Sequence, residues 1–121
     1  MRRIMAILAV LTCTLATATA CGGDDSTPSS SSDEPQVIEV TFDGDTVTPN
    51  GDRVEVSVGQ PIELKVTADA PGEIHVHSSP EQELEYAKGT STVTMDPIDK
   101  PGIVEVESHS LEKTIVSLEV R

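Results

Sequence analysis

Three histidines, His75, His77 and His109, are the residues of this 121-residue chain best suited to hold a metal ion. His75 and His77 stand two apart in Ile74-His75-Val76-His77. On an extended strand, residues two apart share a face. Both imidazoles therefore point one way, and Ile74 and Val76 point the other. A second stretch, Gly102-Ile103-Val104-Glu105-Val106-Glu107-Ser108-His109, repeats the pattern. If Val104 and Val106 face a core, then Glu105, Glu107 and His109 face outward. Were the two strands neighbours, five nitrogen and oxygen donors would share one surface. Imidazole with carboxylate suits Cu(II), Zn(II) or Ni(II). Alternating His and Glu is also how an ordinary solvated strand face reads, and spacing alone leaves both readings open.

Other chemistries find less support. The two cysteines are Cys13 and Cys21, so the chain beyond residue 21 has neither a thiolate ligand nor a disulfide. Ser108 and His109 are adjacent on a strand and point to opposite faces, which rules them out as a catalytic dyad. No pair of carboxylates falls in an expected cleft, and a chain this small has little room for a substrate pocket. An enzyme is not expected.

The elements that must position the histidines are strands. From Val37 onward the hydrophobic period is two. Ile38, Val40 and Phe42 alternate with Glu39 and Thr41, and Val54, Val56 and Val58 with Glu55 and Ser57. Ile62, Leu64, Val66 and Ala68 alternate with Glu63, Lys65 and Thr67. Ile74 and Val76, Val93 and Met95, Val104 and Val106, and Val116, Leu118 and Val120 continue the rule. Turn residues separate the runs at Asp43-Gly44-Asp45, Pro49-Asn50-Gly51-Asp52, Gly59-Gln60-Pro61, Ala70-Pro71-Gly72 and Lys100-Pro101-Gly102. Seven short strands at this spacing predict an all-β sandwich or barrel. The Glu-rich stretch Ser79 to Lys88 is expected to be a surface loop. Val56, Leu64, Val66, Val106 and Leu118 are expected core positions. The single Phe and single Tyr, with no Trp, argue against an aromatic-lined sugar, nucleotide or peptide groove.

The first residues read MRRIMAILAVLTCTLATATAC. A basic start, a short apolar run from Ile4 to Leu15 and small residues up to Ala20 make a secretory signal peptide at residues 1–20. The apolar run is shorter than the roughly 20 residues that span a bilayer. Ala18-Thr19-Ala20-Cys21 resembles the lipobox of bacterial lipoproteins, with Ala18 where Leu is commonest. That resemblance implies a lipid on Cys21, an extracytoplasmic location on the outer side of the cell membrane, and the membrane as a partner. An ordinary cleaved signal would instead leave Cys21 as a lone thiol on a secreted chain. Residues 22–36, GGDDSTPSSSSDEPQ, carry nothing to bury and read as a flexible tether of about 20 Å. The folded domain is placed at 37–121. Removal of residues 1–20 takes two of the eight basic residues and none of the 21 acidic ones, so the net charge moves from −13 to −15. Such a charge excludes nucleic acid as a partner, since that needs a basic footprint.

Four segments carry a further resemblance. They are GDRVEVSVGQPIELKVTAD at 51–69, EIHVH at 73–77, PGIVEVESH at 101–109 and SLEV at 117–120. Together they make the domain similar to the cupredoxin-like domains of bacterial extracytoplasmic proteins. The resemblance implies a Greek-key β-sandwich of seven to eight strands. It also implies that the His75/His77 strand lies beside the strand that ends near His109. Metal ligands at His75, His77, His109 and Glu107 follow, with copper, or else zinc, as the ion. The departure is the missing Cys. Blue-copper sites use two His, a Cys thiolate and a weak axial Met. Here Ser108 or His109 stands about where the thiolate would be, and no Met follows. The expected function is therefore metal binding by a histidine cluster on a membrane-anchored module. The alternative is a metal-free β-sandwich that presents a surface to a protein partner.

Overall fold

The structure, a computed structural model, describes residues 33–121. The signal segment, Cys21 and most of the expected tether lie outside the described residues. Nine strands form two sheets: β1 (Gln36–Asp43), β2 (Thr46–Thr48), β3 (Asp52–Val56), β4 (Ile62–Ala68), β5 (Gly72–Val76), β6 (Gln82–Tyr86), β7 (Gly89–Met95), β8 (Gly102–Ser108) and β9 (Lys113–Val120). One sheet has the order β2-β1-β4-β7 and the other β3-β9-β8-β5-β6. The fold is an all-β sandwich, with no helix among the described residues.

Alternation sets which side chains meet between the sheets. Ile38, Val40, Phe42, Ile62, Leu64 and Val66 line the first sheet's inner face, and Ile74, Val76, Val104, Val106 and Leu118 the second's. All five expected core positions are buried. Two strands escape the expected count. β2 is three residues long with one apolar residue, Val47, too short to show a period. β6 occupies what reads as a loop in sequence, because glutamate is a poor strand former. It is an edge strand, and its outward Glu83 and Glu85 discourage further strand pairing there. Its inward Tyr86 stacks on Phe42 of the opposite sheet, with centroids 4.8 Å apart. Val58 departs the other way. It falls two residues past the end of β3 and is 40% exposed.

Tyr86 also fixes its neighbour. A Cβ on Gly72 would lie 2.7 Å from Tyr86 Cζ and closer still to the hydroxyl. Gly72→Ala is therefore expected to push Tyr86 off Phe42 at a cost of about 1–3 kcal/mol. Tyr86 is the one tyrosine in a chain without tryptophan, so its fluorescence reports the displacement directly. An unchanged emission and urea midpoint would contradict this packing.

Between β8 and β9 the register slips at Val106/Glu107, so Ile115 and Val116 are consecutive buried residues. A bulge of this kind bends a strand and re-aims its side chains. It lies next to Glu107, on the face that carries the histidines.

Candidate metal centre

β5 and β8 are antiparallel neighbours, with His75 opposite Glu107 and Ile74 opposite Ser108. Backbone bonds extend the ladder at both ends. His109 N donates to Glu73 O at 3.1 Å, and His77 N donates to Glu105 O at 2.9 Å. The sequence parity therefore holds past the strand ends. His75, His77 and His109 emerge on the outer face of the five-stranded sheet, around Glu107. The ring centroids of His75 lie 5.7 Å from His77 and 5.6 Å from His109.

Within this group the tightest set is Glu73, His75 and His109, whose donor atoms all lie within 4.8 Å of one another. Ligands at bonding distance from one ion stand about 3–3.5 Å apart. Exposed side chains at the rim of a sheet can close that gap by rotation. Glu73 was not among the four candidates drawn from sequence, although its parity on β5 matches that of His75. An open depression of about 310 Å³ lies alongside, lined by His75, Glu107, Ser108, His109 and Glu112.

His77 and Glu107 pair with each other. His77 Nε2 donates to Glu107 Oε2 at 2.9 Å, and His77 Nδ1 lies 3.7 Å from Glu81 Oε1. His75 is held from the other side, where its Nε2 donates to Glu83 Oε1 at 3.0 Å. Glu83 stands directly opposite it on β6. His109 Nδ1 is 4.0 Å from Glu73 Oε1. Each imidazole thus has carboxylate company, and Glu85 and Glu105 add charge to the same face. Such a surface attracts cations.

The hydrogen bond to Glu83 raises the pKa of His75 above the ordinary value of 6.5. The hydrogen bond from His77 lowers that of Glu107 below 4.5. The signs differ in consequence. The His75–Glu83 bond stabilises the fold below pH 6.5, and its contribution is lost as pH rises through the folded pKa. The Glu107 contribution is present above pH 4.5 and is lost as pH falls through its lowered pKa. A proton NMR titration is expected to place the His75 midpoint above 6.5. A midpoint at or below 6.5 would show that Glu83 does not hold the ring in solution.

No family model matches the chain, and no curated protein matches it. Solved structures do. Auracyanin A, a blue copper protein from the green thermophilic photosynthetic bacterium Chloroflexus aurantiacus, superposes with a TM-score of 0.54 at 12% identity over 73% of this chain and 100% of its own. The fold is cupredoxin-like. A purple cupredoxin from Nitrosopumilus maritimus agrees, with a TM-score of 0.50 at 12% identity over 71% of this chain and 99% of its own. So does the reduced Cu(I) form of an amicyanin mutant, at 0.51 and 10% over 70% and 82%.

A blue-copper centre does not fit these residues. No Cys stands beyond residue 21, and Met95, the one methionine of the folded part, is fully buried on β7 of the other sheet. Ser108, buried at the end of β8, offers only a hydroxyl, which accepts from Leu111 N at 3.3 Å. A neutral hydroxyl does not supply the thiolate such a centre requires. What the chain offers instead is imidazole and carboxylate on the outer sheet face.

Proposed function

We propose that this chain is an extracytoplasmic lipoprotein whose cupredoxin-like domain binds a divalent metal ion, copper first and zinc second, through the histidine cluster of its outer sheet face. The carrying observation is the convergence of Glu73, His75 and His109, with donors within 4.8 Å, and with His77 and Glu107 beside them. Two imidazoles and a carboxylate form a set used for Zn(II), and nitrogen-oxygen donors also suit Cu(II). The acidic surroundings favour a dication over an anion. The role is capture or delivery of the ion at the membrane surface; the residues support no catalytic step.

Calorimetric titration of the chain with Cu(II) tests this reading, and one equivalent is expected to bind. The complex should show only weak d–d absorption, without the intense thiolate-to-copper band, because no Cys stands beyond residue 21 to supply it. Heat that never saturates near one equivalent would remove the metal function in favour of a metal-free interaction module.

The anchor has its own test. Acyl chains contribute about 0.8 kcal/mol per buried methylene, so two or more on Cys21 make a lasting attachment. Cys21→Ser is expected to move the protein from the detergent phase to the aqueous phase, or to leave an uncleaved precursor. Equal membrane retention of mutant and wild type would contradict lipidation at Cys21.

A further inference from the structure

The hydrogen bonds around the three imidazoles are not equivalent, and they assign work to a residue outside the cluster. An ionised carboxylate only accepts hydrogen bonds. Glu83 Oε1, 3.0 Å from His75 Nε2, therefore fixes the proton of a neutral His75 ring on Nε2. The lone pair is then on Nδ1. We propose that Glu83 is the positioning carboxylate of the metal centre: it locks His75 in the Nε2–H tautomer and so presents Nδ1 to an ion shared with Glu73 and His109.

This inference rests on the metal-binding reading and goes beyond it by naming the donor atom and the residue that selects it. Three features carry it. Glu83 faces His75 directly across the β5–β6 ladder, so backbone pairing sets the contact. Glu83 is absent from the group of mutually close donors, which places it outside the ligand set. His77 has no equivalent freedom, since its Nε2 is bonded to Glu107 and its Nδ1 faces Glu81. A carboxylate on the far nitrogen of a ligating histidine orients the ring and strengthens it as a donor, and loss of such a partner costs about 10–100-fold in metal affinity.

The test uses the full chain in detergent, labelled with nitrogen-15 at histidine, with Cu(II) for affinity and the metal-free protein for the tautomer. At a pH where His75 is neutral, the wild type is expected to show a protonated Nε2 and an unprotonated Nδ1. Glu83→Ala is expected to lose that preference and to weaken Cu(II) binding about 10–100-fold. Glu83→Gln keeps an acceptor oxygen and is expected to fall between the two, which separates orientation from a general loss of charge. The circular dichroism of each variant checks that it is folded, and Glu83→Gln carries the comparison if the alanine variant is not. Should the wild type bind Cu(II) and both variants bind equally well or better, the inference is overturned while metal binding stands. Tighter binding would mean that Nε2 is the donor and Glu83 its competitor. Failure of the wild type to bind overturns both.

Discussion

His75→Ala combined with His109→Ala is expected to abolish stoichiometric Cu(II) binding. These two side chains supply both nitrogens of the closest donor set, leaving Glu73 as its only member. A single exposed carboxylate has no advantage over the many others on this acidic chain. The loss should exceed the about 10–100-fold that removal of an outer-shell partner costs. His77→Ala should cost less, because Glu107 and Glu81 already engage its two nitrogens. Calorimetry of the three variants at one pH makes the comparison. If the double variant binds as tightly as the wild type, scattered carboxylates hold the ion and the cluster is a solvated face.

The second large effect lies in the core. Leu64 is fully buried on β4, between Ile38 of β1 and Val93 of β7 in register. Leu64→Ala should cost about 2–5 kcal/mol from lost transfer energy and the cavity left behind. A domain of this size has a total stability of about 5–15 kcal/mol. At about 4–8 °C per kcal/mol, the thermal midpoint should fall by tens of degrees. Thermal unfolding followed by circular dichroism reads it. A midpoint within a few degrees of wild type would mean that β4 does not pack as described.

Much of this arrangement is legible in the sequence because one physical rule, period-two alternation, governs both the core and the site. Ile74 and Val76 are buried for the same reason that His75 and His77 are not. The same parity puts Glu107 and His109 on the outer face, and the ladder bond from His109 N to Glu73 O carries it one residue past β8. Alternation fails where it has too little to act on or where backbone geometry interrupts it. β2 offers one apolar residue, and β6 carries glutamates at the positions an edge strand turns to solvent. The bulge at Val106/Glu107 buries Ile115 beside Val116, which no strict period allows. The contact of Glu83 with His75 is hidden in the sequence for the same reason, since Glu83 faces His75 only because Gln82–Tyr86 is a strand. Glu73 is hidden for a different reason. Parity says which residues share a face, but only the pairing of β5 with β8 says which of them stand close together.

The fold and the site also point in different chemical directions. The architecture is shared with the blue copper protein auracyanin A at 12% identity and with an amicyanin mutant at 10%, a level at which fold persists and individual ligands need not. In this chain no Cys stands beyond residue 21, and the imidazole and carboxylate donors sit on the outer face of one sheet. The residues beyond Cys21 offer no thiolate for a copper-thiolate bond, and the imidazole and carboxylate donors of the outer face are what the proposed ion binding rests on.

The most direct test of that account is electron paramagnetic resonance of the chain loaded with one equivalent of Cu(II), with electron spin-echo modulation to detect imidazole. A single species with modulation from the remote nitrogens of two coordinated imidazoles, and no thiolate-to-copper absorption, is the predicted result. A Cu(II) signal with no imidazole modulation would contradict it, because the ion would then be held by carboxylates alone.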